Sequence, residues 1–241
     1  MNCIDEILEL LKQRERFFAT VRDFMAADDK NVVALMNLPD ECTDSFRQVG
    51  NNLIKGPAVH EGWEYELQVL LRAMARREQA DVDDFISRAL LSKKTIDKTT
   101  YVTYLSGFEG GTAIAALLKF ATSHAASAGA YEEAIVGALQ TLQQWGVKDP
   151  LEGVAELMES RSAQVRSAAL ALVASADKRL LLSACKRLLP REKDRGIILQ
   201  WIDVLTGMHD PEASKCMQNL RGRRSLAQDS EIRMKIEQAG K

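Results

Sequence analysis

The chain has 241 residues, 46% of them hydrophobic and 27% charged, with a formal net charge of −2. That balance is too apolar for a disordered segment, and the length is enough to bury a core without metals or disulfides. No window approaches the eighteen or so uninterrupted apolar residues of a bilayer-spanning helix, and the opening MNCIDEILEL carries acids where a secretory signal carries lysines, so the expectation is a soluble, cytoplasmic protein without membrane association.

In the first segment Ile4, Ile7, Leu8, Leu11, Phe18, Val21 and Met25 fall on one helical face, with Glu6, Glu9, Lys12, Arg16 and Arg22 mostly off it. Its Phe17, Phe18, Phe24 and Met25 suit either a cap on the rest of the chain or a dimer surface; the oligomeric state stays open. Further along, AADDKN, NLPDE, IKGP, SKKTIDK, SGFEGG, AASAGA, WGVKDP, SADK, LPREKD and TGMHDP cut the chain into pieces of helix length, and alternation of period two is hard to find. Eleven to thirteen helices joined by short turns are expected, and short turns favour antiparallel neighbours. Cys3, Cys42, Cys185 and Cys216 form no C-x-x-C pair, which predicts reduced and mostly buried thiols.

The second half repeats itself. Gly146-Val-Lys-Asp149-Pro150 returns 61 residues later as Gly207-Met-His-Asp210-Pro211, with SADK (175–178) near the midpoint. Each element has a mechanical role: glycine ends one helix in the left-handed conformation, aspartate caps the next, and proline fills its first turn. Val165-Arg166, Asp194-Arg195 and Ile232-Arg233 follow the three aspartates at comparable distances, and Gly107 to Gly111 reads as an older copy of the hinge.

Over DPLEGVAELMESRSAQVRSAALALVAS the chain resembles the HEAT-like family of α-helical repeats, including the short type of phycobilisome-lyase relatives. Asp149, Pro150, Val165, Arg166, Ala168 and Ala169 carry the match, which is clearest over 130–220. Asp194 and Lys178 depart from it in the middle unit. The resemblance implies an all-α fold: a right-handed α-α superhelix (HEAT-like solenoid) of five or six helical hairpins. Residues 96–241 would form the array, and 1–95 an N-terminal helical region continuous with it. It also implies that Arg166 and Arg195 lie between units, each paired with a hinge aspartate. Ala163, Ala168, Ala169, Ala171 and Ala174 would let helices approach while Leu170, Leu172 and Val173 fill the layer between units.

Chemistry is sparse. G-x-G-x-x-G after a strand, G-x-x-x-x-G-K-[ST], H-E-x-x-H and G-x-S-x-G are all missing. His60, His124 and His209 lie in or beside turns, and a single His60-Glu61 dipeptide cannot assemble a metal site alone. Trp145 and Trp201 read as core, while Trp63 completes the trio that a glycosylase of helical-repeat type would use on DNA. No catalytic residue, metal ligand or cofactor is expected.

Charge is polarised instead. Residues 1–160 hold 16 Lys+Arg against 25 Asp+Glu, and residues 161–241 hold 16 against 9. On the second helices of the array, Lys178, Arg179, Lys186, Arg187 and Arg191 would join Lys215, Arg221, Arg223 and Arg224 in one basic strip. Lys186, Arg187 and Arg191 also fit the dipole of a helix C-terminus with no partner at all. The expected function is a non-catalytic protein-interaction scaffold or adaptor whose strip meets an acidic protein segment. The alternatives are a nucleic-acid-binding or repair protein on the same repeats, or an auxiliary lyase or chaperone of a cofactor-bearing protein.

Overall fold

The structure is a computed structural model that describes residues 2–12, 30–56, 62–125, 128–148, 151–223, 226 and 228–238. Among these residues every regular element is helical and none is a strand. Fourteen α-helices are present among the described residues, more than the eleven to thirteen expected, because pieces as short as the six residues of Glu152–Leu157 stand as separate elements. No helix among the described residues is long and apolar enough to cross a membrane. The chain divides into two compact units, Met1–Ala116 and Leu117–Lys241.

The N-terminal unit holds α1 (Cys3–Lys12), α2 (Lys30–Met36), α3 (Thr43–Lys55), α4 (Trp63–Arg76), α5 (Val82–Leu91) and α6 (Lys98–Leu105). Its core is α4, which packs against α1, α2, α3 and α5; every residue from Glu66 to Met74 is buried. A helix buried on all sides has no single apolar stripe, so the amphipathic rule describes its neighbours better than itself. Around it α1 contributes Ile7 and Leu11, α2 Val32 and Leu35, and α3 Phe46, Val49 and Ile54. Gly50 lets α3 meet α5, since a β-carbon there would come within 3.0 Å of the Phe85 ring.

The expectation of four free thiols fails at its first pair: Cys3 and Cys42 are joined by a disulfide, their Cα atoms 5.5 Å apart. The physical reason is tertiary. Packing of α1 on α3 brings two residues separated by 39 positions within bridging range, which no sequence spacing announces. Cys185 and Cys216 are free and buried.

Between α5 and α6 the chain turns through a braced loop. Glu64 accepts from the Ile96 and Asp97 amides, and Thr95 Oγ1 donates to Ala89 O at 2.6 Å. Lys98, 3% exposed, places its ammonium against Leu90 O (2.8 Å), Ser92 O (2.6 Å) and Thr95 Oγ1 (2.6 Å), which satisfies the orphaned carbonyls at the end of α5.

The boundary between the units falls inside α7 (Gly111–Ser123). Beyond it come α8 (Ala128–Gln144), α9 (Glu152–Leu157), α10 (Ala163–Ala176), α11 (Lys178–Leu188), α12 (Arg195–Gly207), α13 (Pro211–Arg221) and α14 (Ser230–Gln238). In this unit α10 packs on α8 and α12, and α12 on α14; α11 packs on α9 and α13. Sequential helices also touch, α9 with α10, α10 with α11, α12 with α13 and α13 with α14. The seams are filled as the small-residue pattern predicted for Ala168, Ala169, Leu170, Leu172 and Val173, all buried, whereas Ala163, Ala171 and Ala174 are only half-buried.

The hinges are made in three ways. Gly146 ends α8 in the left-handed conformation (φ +65), with the Val147 amide reaching back to Leu142 O at 3.1 Å. Asp149 and Pro150 lie outside the described residues. At the second copy Gly207 is not the left-handed residue; His209 is (φ +50), because α12 runs on through Gly207. Asp210 then caps α13, accepting from the Glu212 amide at 2.7 Å, with Pro211 in the first turn. The middle hinge needs no glycine: Asp177 accepts from the Arg179 and Leu180 amides at 2.8 and 3.0 Å.

Candidate functional site

The basic strip is built on α11, whose sequence KRLLLSACKRL buries Leu181, Ala184 and Cys185 and turns Lys178, Arg179, Ser183, Lys186 and Arg187 outward. Apolar residues three and four apart face the neighbours, so the cations have only the solvent side left. In α13 the same rule buries Ala213, Cys216, Met217 and Leu220 and exposes Glu212 and Lys215. Between the two helices runs an open groove of about 550 Å³ lined by Arg179, Leu182, Ser183, Lys186, Arg187 and Glu212.

The nine strip residues separate into distinct roles. Lys186 bridges α11 to α13 through Glu212 at 2.9 Å, and this hydrogen bond holds its ammonium above the usual lysine range. Arg187 is ion-paired with Glu159, in the turn after α9. Arg223 is half-buried and donates to Leu189 O (3.0 Å) and Glu192 O (2.7 Å), pinning the turn that follows α11. Arg221 makes only a long contact to Ile236 O at 3.5 Å, and Arg224 lies outside the described residues. Lys178, Arg179, Arg191 and Lys215 are exposed and make no hydrogen bond or ion pair with the described residues.

The sequence reasoning missed the acids of this surface, Glu159 and Glu212, because both look like ordinary first- or last-turn residues of their own helices. It also missed Glu192. The carboxylate of Glu192 takes a two-pronged bond from Arg166, Nε and Nη2 both at 3.0 Å, and accepts from its own chain at the Lys193 and Asp194 amides. The resemblance implied a hinge aspartate as the partner of Arg166; among the described residues the carboxylate that it meets is Glu192, in the turn after α11. Arg195 does meet an aspartate, donating to Asp229 at 2.7 Å, and also pairs with Glu231. Its guanidinium, with the Ile232 amide, holds the Asp229 carboxyl below the usual carboxylate range.

Other candidate groups are absorbed by packing. Trp201 and Trp63 are buried in the core, but Trp145, expected there too, is only half-buried, because it lies at the end of α8 next to the hinge glycine. His124 stands against Phe120 and Tyr131 with its Nδ1 2.9 Å from Phe120 O. His60 lies outside the described residues, as do Phe17, Phe18, Phe24 and Met25. Among the described residues no group of three or more His, Cys, Asp or Glu is placed to share a metal ion. Among the described residues the large hydrophobic side chains that stand exposed are Val33, Ile96 and Met234, none of them aromatic.

No protein-family model matches the chain, and no curated protein or solved structure matches it either.

Proposed function

We propose that the hairpins from α8 to α14 are HEAT-like repeats turning as a right-handed superhelix, and that they serve as a non-catalytic scaffold for a protein partner with an acidic segment. The packing favours this reading, because α8, α10, α12 and α14 adjoin in series on one side and α9, α11 and α13 on the other, so each hairpin covers its neighbour's apolar face. The observation that carries the partner's chemistry is a set of cations with no partner among the described residues. Lys178, Arg179, Arg191 and Lys215 are exposed and pair with none of the described residues, beside a groove lined by the acid Glu212, which Lys186 engages. A protein segment is favoured over nucleic acid because no large aromatic among the described residues stands exposed for a base to stack on.

Fluorescence anisotropy with a glutamate-rich peptide and, separately, with duplex DNA tests the proposal. The peptide is expected to bind with an affinity that falls with salt, and the double variant Arg179→Glu, Lys215→Glu to weaken it about ten-fold or more. Tighter, salt-steep binding of the DNA transfers the surface to the nucleic-acid reading; peptide binding indifferent to the double reversal removes the strip altogether. Lys186, Arg187 and Arg223 are left intact in this experiment because they hold hairpins and turns together.

A further inference from the structure

The two free cysteines meet between successive hairpins. Cys185 lies on the buried stripe of α11 with Leu181 and Ala184, and Cys216 on that of α13 with Ala213, Met217 and Leu220. These helices pack on each other, and the Lys186–Glu212 bridge at 2.9 Å fixes their register. Residue 185 adjoins one end of that bridge and residue 216 lies one helical turn past the other, so both sulfurs enter the same stretch of the seam. There the two thiols interact, with the Lys186 ammonium in electrostatic reach of both.

Their surroundings are unequal. Cys185 is 0% exposed, whereas Cys216 keeps 8% of its surface. Burial, reinforced by Cys216, pushes the Cys185 thiol above the usual range, so it stays protonated at neutral pH. One thiol is thus within reach of a small solute and the other is held in reserve against it.

We infer that Cys185 and Cys216 form a redox-active dithiol, which a peroxide closes to a disulfide that staples α11 to α13. Hydrogen peroxide oxidises Cys216 to a sulfenic acid and leaves as one water. The Cys185 sulfur then attacks the sulfenic sulfur: the S–S bond forms, the S–O bond breaks, and the departing hydroxide takes the Cys185 proton to become a second water. Two thiols give up two electrons and two protons, and the peroxide accepts them. A dithiol reductant reverses the step and itself becomes the disulfide. The staple joins one hairpin to the next behind the groove between α11 and α13. It stands apart from the reading of that groove as a docking surface, and its test uses no peptide.

The full chain is treated with a small excess of hydrogen peroxide, the remaining thiols are alkylated, and the digest is mapped by mass spectrometry. A cross-linked peptide containing Cys185 and Cys216 is expected from the folded chain, with the Cys3–Cys42 bond unchanged, and dithiothreitol is expected to return both thiols. The oxidised hairpins are expected to melt higher than the reduced ones. Cys185→Ser is expected to stop at the Cys216 sulfenic acid, which dimedone captures, and Cys216→Ser to slow oxidation of the remaining thiol about ten-fold or more. A link that forms only in urea, a link that draws in Cys3 or Cys42, a lower melt on oxidation, or no link at all overturns the proposal.

Discussion

Lys98 opens α6 with its ammonium enclosed by two carbonyls and a hydroxyl, and burial pushes its pKa down to about 8 while Glu64 pulls it the other way. In the unfolded chain a lysine titrates near about 10.4, so from about pH 8 upward the folded state has released a proton that the unfolded state still holds. Stability is therefore expected to rise with pH across that window. Tyr101 acts in the opposite sense above it. Burial, reinforced by the Glu64 carboxylate, pushes its phenol up, so above about pH 10 the folded state keeps a proton that the unfolded state has lost, and stability falls. Urea midpoints at about pH 7.5, 9 and 10 check the sign, and Lys98→Met is expected to lose the climb. None of this was legible in SKKTIDK, where Lys98 reads as one more solvated charge in a break; its burial depends on where α5 ends relative to α6, which is tertiary information.

Arg166 and Glu192 show how hairpins are joined. Both side chains are largely buried, 15% and 10% exposed, and their two-pronged bond ties the start of α10 to the turn after α11, 26 residues away. Removing one partner strands the other charge out of water, so Arg166→Ala is expected to cost about 2–3 kcal/mol in urea unfolding. Arg187→Ala, which breaks the half-exposed pair with Glu159, is expected to cost less than about 1 kcal/mol. The helices themselves could be read from the three- and four-residue spacing, and so could the caps at Asp177 and Asp210, because both signals are local. The Val165-Arg166 register was visible too. Its partner was not, since Glu192 reaches Arg166 only through the path of the 3₁₀ turn Leu189–Arg191 and the bend that follows. For the same reason the strip could be listed from sequence as nine cations, while the division into bridging and unpaired members had to come from structure.

At the scale of the whole molecule the chain divides into two differently built units, one wrapped around a buried central helix and one in which α8, α10, α12 and α14 adjoin in series, and the basic excess seen in the sequence begins inside the second, after residue 160. The Cys3–Cys42 bond belongs to the first alone. Closing a loop of 39 positions is worth about 4 kcal/mol in the chain-entropy description, so reduction is expected to lower the melting of that unit while leaving the hairpins unaffected. Calorimetry with and without a reductant checks it. The same bond bears on the cytoplasmic expectation: a reducing compartment keeps such cysteines as thiols. Alkylation of fresh extract followed by mass spectrometry decides between the two settings.

The bond between Arg166 and Glu192 also has a use in tracing ancestry. Each of its ends is costly to lose alone, so descendants of a common precursor are constrained to exchange both together or neither. Kinship that has faded from overall similarity can persist as such a correlated pair, and an arginine followed 26 positions later by a glutamate, with an aspartate-capped helix between them, is the fingerprint to seek in candidate cousins.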